Sequence, residues 1–417
     1  MKILILGLNY APEMVGIAVY TTGLAEALSL RGHEVHVVAG KPYYPDWVVP
    51  GAYKGGWKRR TLENGVDVTR VAHYVPSDPT GARRIAHHAS FALSSLPSTL
   101  SRAVRLRPDV VFTIAPSLIA APVARVAAAA CGARSWLHIQ DFEVEAAMAT
   151  GFLGGSGLGA SVARLFERAV LNSFDCVSSI SPAMCRKVVE KGVAPECVVE
   201  FRNWADIDRI VPLNGPSPYR DAWGIKTPHV ALYSGNIANK QGIEIVVDAA
   251  RRLAHRDDVT FVVCGNGPNR ANLEHLGAEL ENIVFHDLQP TERLNDLLGL
   301  ATVHLLPQLG TAADLVLPSK LTNMLASGRP VVVTAHEGTG LYGEVEGCGV
   351  IVPPEDGSAF AEAIATLIDD KGSRIALGAA ARLRAQERWQ YAQIVSRLEA
   401  QLEQLTSRET VLSAHQA

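Results

Sequence analysis

Short runs of β-branched and aliphatic residues, each closed by a turn and followed by a stretch of helical periodicity, recur from one end of the chain to the other. A run that is apolar at every position, rather than at every second one, must be buried on both faces. A parallel sheet covered by helices on either side offers such a place. In the first half the strand candidates span 2–6, 34–39, 66–70, 109–114, 134–139, 176–180 and 198–201, and in the second half 229–234, 259–264, 282–286, 303–306, 331–334 and 349–352. Helical patterns lie between them over 19–31, 118–131, 161–172, 243–255, 291–301, 320–327 and 358–370. The fold class is therefore α/β, of the doubly wound Rossmann-like kind.

A chain of 417 residues exceeds what one core holds, because single cores stop growing near ~250–300 residues. The turn-forming segment Pro212-Leu213-Asn214-Gly215-Pro216-Ser217-Pro218 separates the two series of strands. The expected organisation is a first domain over 1–212, a linker over 213–227, a second domain over 228–388, and a terminal helix over 389–405 that packs back on the first domain. The tail over 406–417 is expected to be disordered.

Charge is unevenly shared. Residues 1–212 carry a net +4 and the remainder −7, which gives −3 overall. Between Lys54 and Arg107 ten basic residues face three acidic ones. Trp57, Ile85, Phe91, Leu93 and Leu96 are interleaved with Lys54, Lys58, Arg59, Arg60, Arg83, Arg84, Arg102, Arg105 and Arg107, a mixture suited to an anionic membrane surface, although a solvated basic face gives the same pattern. The net negative charge and the absence of a recognised motif argue against nucleic acid. The six cysteines form no C-x-x-C pair, which argues against a zinc site or a disulfide framework. No apolar run reaches the ~20 residues of a membrane span, so the protein is expected in the cytoplasm, peripheral to the inner face of the plasma membrane.

Several loops carry chemistry. After the first strand only Gly7 of a G-x-G-x-x-G fingerprint is in place, which disfavours a nicotinamide dehydrogenase. Gly16, at the start of the following helix, suits close approach of backbone N–H groups to a phosphate, or a plain turn. In the second half Gly235-Asn236 through Lys240-Gln241-Gly242 follows one strand, and Gly265-Asn266-Gly267-Pro268 follows the next. Two such loops at the carboxyl edge of one sheet point to a nucleotide site. Pro318-Ser319-Lys320-Leu321 opens a helix that ends at Gly328, placing a lysine in a first turn where free N–H groups also favour an anion. Asp206-Ile207-Asp208 matches the D-x-D that holds a metal–diphosphate elsewhere, but its place beside the linker reads as a turn, and no metal is expected.

Taken in order, Pro12 and Gly16, Leu24 to Val35, Ser181, Asn203-Trp204-x-Asp206, Gly235 to Gly242, Gly265-x-Gly267-Pro268 and Ala326-Ser327-Gly328-Arg329-Pro330-Val331-Val332 resemble the landmarks of the family 4 glycosyltransferases of GT-B fold. Tyr10-Ala11-Pro12-Glu13, Tyr43-Tyr44-Pro45-x-Trp47, His138-Ile139-Gln140-Asp141 and Pro318-Ser319-Lys320-Leu321 are similar to the colanic-acid-type, fucosyltransferase-like subgroup. The resemblance implies two Rossmann-like domains facing each other across a cleft, a GDP- or UDP-linked sugar donor in the second and an acceptor on the first. It also implies retention of configuration without a metal or other cofactor, and work on a lipid-linked oligosaccharide in exopolysaccharide or capsule assembly.

Three departures stand out. The family's donor-contacting Arg and Lys become Asn236 and Gln241, its paired glutamates become Leu315 and Asn323, and its His-Asp pair becomes Gln140-Asp141. Lys320 is therefore expected to supply the diphosphate charge, with Asp141 as the other catalytic candidate. Gly16, Gly235, Asn236, Lys240, Gln241, Gly265, Asn266, Gly267, Pro318, Ser319, Leu321 and Asn323 are expected at the donor. Glu13, Gln140, Asp141 and Glu143 are expected at the acceptor. A sugar-nucleotide epimerase, or a non-catalytic nucleotide-sugar-binding scaffold, would account for the same donor loops.

Overall fold

The computed structural model describes residues 1–14, 16–145, 158–205, 207–237, 241–310, 318 and 320–414. Lys240, Ser319, Leu315, Asp206 and most of the glycine cluster at 151–159 lie outside the described residues. The chain divides into two compact units, one formed by Met1–Asn203 with Ala392–Ala417 and the other by Trp204–Tyr391. The division thus falls ahead of the expected linker.

The first unit is built on strands β1 (Lys2–Gly7), β2 (Glu34–Gly40), β3 (Lys58–Glu63), β4 (Val66–Val71), β5 (Val110–Ala115), β6 (Arg134–Ile139), β7 (Cys176–Ser179) and β8 (Val198–Glu200). Their order across the sheet is β3-β4-β2-β1-β5-β6-β7-β8, parallel throughout except for β3. β1 and β5 are buried along almost their whole length, as a central parallel strand requires, and pair with Ile5 opposite Phe112. β3 was not legible as a strand: Lys58-Arg59-Arg60-Thr61-Leu62-Glu63 is polar because it closes the sheet's edge, where charge blocks further pairing.

The 26-residue helix Gly81–Leu106 was also not expected. Pro97 sits inside it and removes one backbone donor. Ser94, Ser95 and Thr99 turn their hydroxyls back onto carbonyls three or four residues earlier. The terminal helix Tyr391–Ala414 runs through the segment expected to be disordered. It joins the first unit, where Glu399 accepts from Arg31 at 2.6 Å and pairs with His33 at 2.8 Å while Leu398 and Leu402 are buried.

The second unit carries β9 (His229–Ser234), β10 (Val259–Cys264), β11 (Ile283–His286), β12 (Val303–Leu306), β13 (Val331–Thr334) and β14 (Val350–Val352) in the order β11-β10-β9-β12-β13-β14. All pairings are parallel. Helices Glu244–Arg252 and Gly357–Asp369 cover one face through Val246, Phe360 and Ile364. Leu321, Met324, Leu325 and Trp389 cover the other. In both sheets the chain order reverses beside the first strand of the series, between β1 and β5 and between β9 and β12. In open α/β folds that reversal opens a crevice at the carboxyl edge.

Candidate active site

In the second unit the loop after β9, the loop after β10 and the start of the helix Lys320–Ala326 meet at that carboxyl edge. The first two are locked to each other by backbone. Gly235 N donates to Cys264 O at 2.9 Å and Ile237 N to Asn266 O at 2.9 Å. A methyl group on Gly265 would sit 1.9 Å from Gly235 O, and one on Gly267 would sit 2.2 Å from Ile237 O. The paired glycines are thus required by loop-to-loop contact, which fixes the shape of the crevice. Arg270 braces the second loop by donating to Gly265 O at 2.6 Å and to Asn266 Oδ1 at 3.0 Å.

Lys320 lies over the first loop. Its Nζ donates to Tyr233 Oη at 2.7 Å and stands 4.3 Å from that ring's centroid. A side chain on Gly235, whose φ is +125°, would run into the lysine's Cε and Nζ at 3.3 Å. The Tyr233 hydroxyl is in turn within reach of Asn236 O at 2.6 Å and Gln241 Oε1 at 2.8 Å. Burial lowers the Lys320 amine to about 8. Among the described residues no carboxylate pairs with it, so a half-desolvated cation faces the crevice without a counter-ion. The helix that starts at Lys320 has only seven residues, so the ammonium, rather than a helix dipole, is the main source of positive potential. Pro318 O receives the Leu321 N–H at 3.0 Å and turns the chain into that helix. Leu321 corrects its expected role: its side chain is fully buried in the core and offers the donor nothing but backbone. Asn323 is half-buried on the same helix.

The first unit gathers a second set of side chains around the ends of β1, β2 and β6. Glu13 was expected to reach toward an acceptor, but it is buried. Its Oε1 accepts the Tyr43 and Tyr44 N–H groups at 2.8 and 2.9 Å, and its Oε2 accepts Asn9 Nδ2 at 2.9 Å. This carboxylate ties the loop after β1 to the loop after β2, a positioning role. Gln140 is likewise turned inward, with its Oε1 accepting Asn203 Nδ2 at 2.8 Å. Asp141 is half-buried and Gly16 caps the helix Ile17–Leu30 with φ +64° and no side-chain cap hydrogen bond.

Glu143 is the group best placed for proton chemistry there. Its Oε2 accepts the Leu118 N–H at 2.7 Å, its Oε1 lies 3.4 Å from His88 Nε2, and burial with the nearby Asp141 charge pushes its carboxyl up to about 8. Burial holds His88 down at about 3, so both partners rest in their neutral forms at neutral pH. Sequence reasoning missed Tyr233, Arg270, Asn9 and His88. Tyr233 and Asn9 flank glycine or proline loops that were singled out, and adjacency was the one available signal.

Two doubly wound units, the second with glycine-locked loops and a partly buried lysine at its crevice, have the architecture of a glycosyltransferase of the GT-B fold. The chain belongs to the family 4 glycosyltransferases: residues 15–204 match the Glycosyl transferase 4-like domain and residues 228–370 the Glycosyl transferases group 1 domain. It is 41% identical over 376 residues to the colanic acid biosynthesis glycosyl transferase WcaI of Escherichia coli K12, covering 87% of this chain and 91% of that protein. Sucrose-phosphate synthase from Thermosynechococcus elongatus shares the fold with a TM-score of 0.70 at 16% identity, over 98% of this chain and 99% of that one. HepE from Anabaena, solved in complex with UDP and glucose, has a TM-score of 0.66 at 18% identity, over 97% and 100%. Among the described residues no helix is long and apolar enough to cross a membrane, and no group of three His, Cys, Asp or Glu side chains is placed to hold a metal ion.

Proposed function

We propose that this enzyme transfers a hexose or deoxyhexose such as fucose, with retention and without a metal or other cofactor, from a GDP- or UDP-sugar to a lipid-linked oligosaccharide of a colanic-acid-like exopolysaccharide. The single observation that carries the donor half is the Lys320 ammonium, partly buried at the β9–β12 crevice with no carboxylate beside it among the described residues. A departing nucleoside diphosphate supplies the missing negative charge, and a preorganised cation in a partly dry site stabilises it at little reorganisation cost. The UDP bound by HepE and the pathway of WcaI support this reading. In a retaining reaction the leaving phosphate oxygen accepts the acceptor's proton. Glu143 and Asp141 then serve to hold the acceptor or the sugar. Turnover of a panel of GDP- and UDP-sugars tests the proposal: wild-type protein should hydrolyse or transfer at least one of them, and Lys320→Met should lose roughly ten- to a hundredfold in rate. A fold that binds none of the panel would leave the proposal without support.

The acceptor half rests on the first unit's surface. The helix Gly81–Leu106 exposes Ile85, Leu93 and Val104 beside Arg83, Arg84 and Arg105, and Trp57, ahead of β3 in the same unit, is exposed as well. Long apolar side chains flanked by arginines suit attachment to an anionic inner leaflet, where the lipid-linked acceptor is found. Phe91 does not take part, being fully buried, and Arg60 and Arg102 are held by Asp67 at 2.5 and 2.8 Å. Sedimentation with anionic vesicles at low salt should be lost in the Leu93→Asp, Val104→Asp double variant. A wild-type protein that ignores such vesicles would refute peripheral attachment.

A further inference from the structure

The crevice described above uses the carboxyl edge of the second sheet. The opposite edge holds a cavity of about 580 Å³, formed where Pro228, Thr302 and Pro330 lead into β9, β12 and β13. Arg220, Arg329, Lys371, Arg374 and His229 all line it. No carboxylate is among the lining residues, and among the described residues none of the four permanent cations is in an ion pair. A volume in this range matches small-molecule sites.

The cations retain free donors. Arg220 Nη2 bonds to Thr227 O, and Arg374 Nη1 bonds to the Leu367 and Ile368 carbonyls that end the preceding helix. Each guanidinium has five N–H groups, so most of the donor capacity of both is left. Arg329 is half-buried, and its Nε is buried without a hydrogen-bond partner. His229 Nδ1 is also buried and unpartnered. The carboxylates around the rim are already engaged: Asp370 accepts from Ser373 through both its N–H and its hydroxyl and feels the charge of Arg374, and Asp258 and Asp369, which act on His229, are both paired with Arg256. The buried, unpartnered Nε of Arg329 carries a desolvation cost that an anion in the cavity would offset.

We propose that this cavity binds a small soluble polyanion of the diphosphate class, at a site separate from the donor crevice. The six residues of β9 set the two edges roughly 20 Å apart, so one diphosphate cannot span both. The two sites share a structural element. Helix Lys320–Ala326 begins with the donor-side cation, and Arg329 follows its far end by three residues, before β13. An anion that draws on Arg329 therefore acts on the segment that anchors Lys320, which places the cavity to sense phosphate-ester supply.

The test uses sodium pyrophosphate as the probe and the full-length Lys320→Met protein as the host, so that diphosphate binding at the donor crevice is suppressed. Calorimetric titration at low ionic strength should show saturable one-to-one binding. That binding should weaken roughly tenfold or more when Arg329→Gln or Lys371→Glu is added. Lys371 is exposed at the start of a helix, so Lys371→Glu keeps the fold even if Arg329→Gln does not, and thermal unfolding without anion checks both. Arg251→Gln, an exposed residue outside the cavity lining, should leave the binding unchanged. Equal affinity in all of these proteins, or no saturable binding at millimolar pyrophosphate, would overturn the proposal. Inorganic phosphate binding as tightly as pyrophosphate would overturn the assignment to diphosphates.

Discussion

If the Lys320 ammonium is the charge that meets the donor diphosphate, nucleotide affinity must fall when that ammonium loses its proton. Burial sets its pKa at about 8, well below an ordinary lysine. In the unliganded protein it is then about 90% charged at pH 7 and about 10% charged at pH 9. The terminal phosphate of UDP or GDP is already fully ionised across that window, since its second pKa lies near ~6. Tyr233 is held above the ordinary tyrosine range by burial, so it does not titrate there either. The apparent dissociation constant for UDP or GDP should thus rise roughly tenfold between pH 7 and pH 9, up to a limit set by the worth of one charge-assisted bond, ~1.5–3 kcal/mol. Lys320→Met should bind weakly at every pH with no slope, and Lys320→Arg should bind without a slope because a guanidinium stays charged. Calorimetric titration of the nucleotide at fixed ionic strength reads all three. A flat wild-type profile, or a slope that survives in Lys320→Met, would refute the assignment.

Gly265→Ala should cost about 1–3 kcal/mol in urea unfolding and abolish tight nucleotide binding, because its methyl group would displace Gly235 O from 1.9 Å; normal binding would show that the two loops yield freely. Glu13→Ala leaves three donors without their acceptor and should destabilise the fold by about 1–3 kcal/mol or more, measured as a lower urea midpoint; a neutral result would remove its positioning role. Acid should destabilise the protein before its carboxylates protonate. His138 and His304 are fully buried and held neutral down to about 3, so between pH 6.5 and 3 the unfolded chain binds protons that the fold does not, and stability falls as pH falls. At pH 5 the loss is about 2 kcal/mol per histidine, partly offset by Glu143, whose raised pKa acts in the opposite direction; equal stability at pH 5 and pH 7 would contradict it.

The strands were legible because a strand buried on both faces leaves no freedom in its composition: Ile3-Leu4-Ile5-Leu6 or Val259 to Cys264 can be little else. What escaped were elements whose role frees them from that rule. The edge strand Lys58–Glu63 needs only backbone pairing on one side, so its side chains follow the solvent. The helix Gly81–Leu106 keeps one face wet and tolerates Pro97, so its composition resembles a loop. Neither escape changes the topology, which the buried strands and the linking helices determine.

The site was less legible, and for a different reason. A sequence displays which residue types are present, but a functional charge is defined by what is missing around it. The uncharged Asn236 and Gln241 made it plain that a cation was needed elsewhere, and Lys320 was the candidate within reach. That Tyr233 covers this lysine, that burial lowers its pKa, and that no described carboxylate answers it are properties of three segments brought together across β9 and β12. Glu13 shows the converse. Its place in a loop of the first unit suggested a group free to meet substrate, whereas three donors from two loops have claimed it. Another carboxylate of the same unit, Glu143, retains a neutral form because burial and the Asp141 charge outweigh the one Leu118 N–H it accepts. How far each of two acidic residues is still open to a ligand thus depends on the number of donors it has already satisfied, a count that exists only after folding.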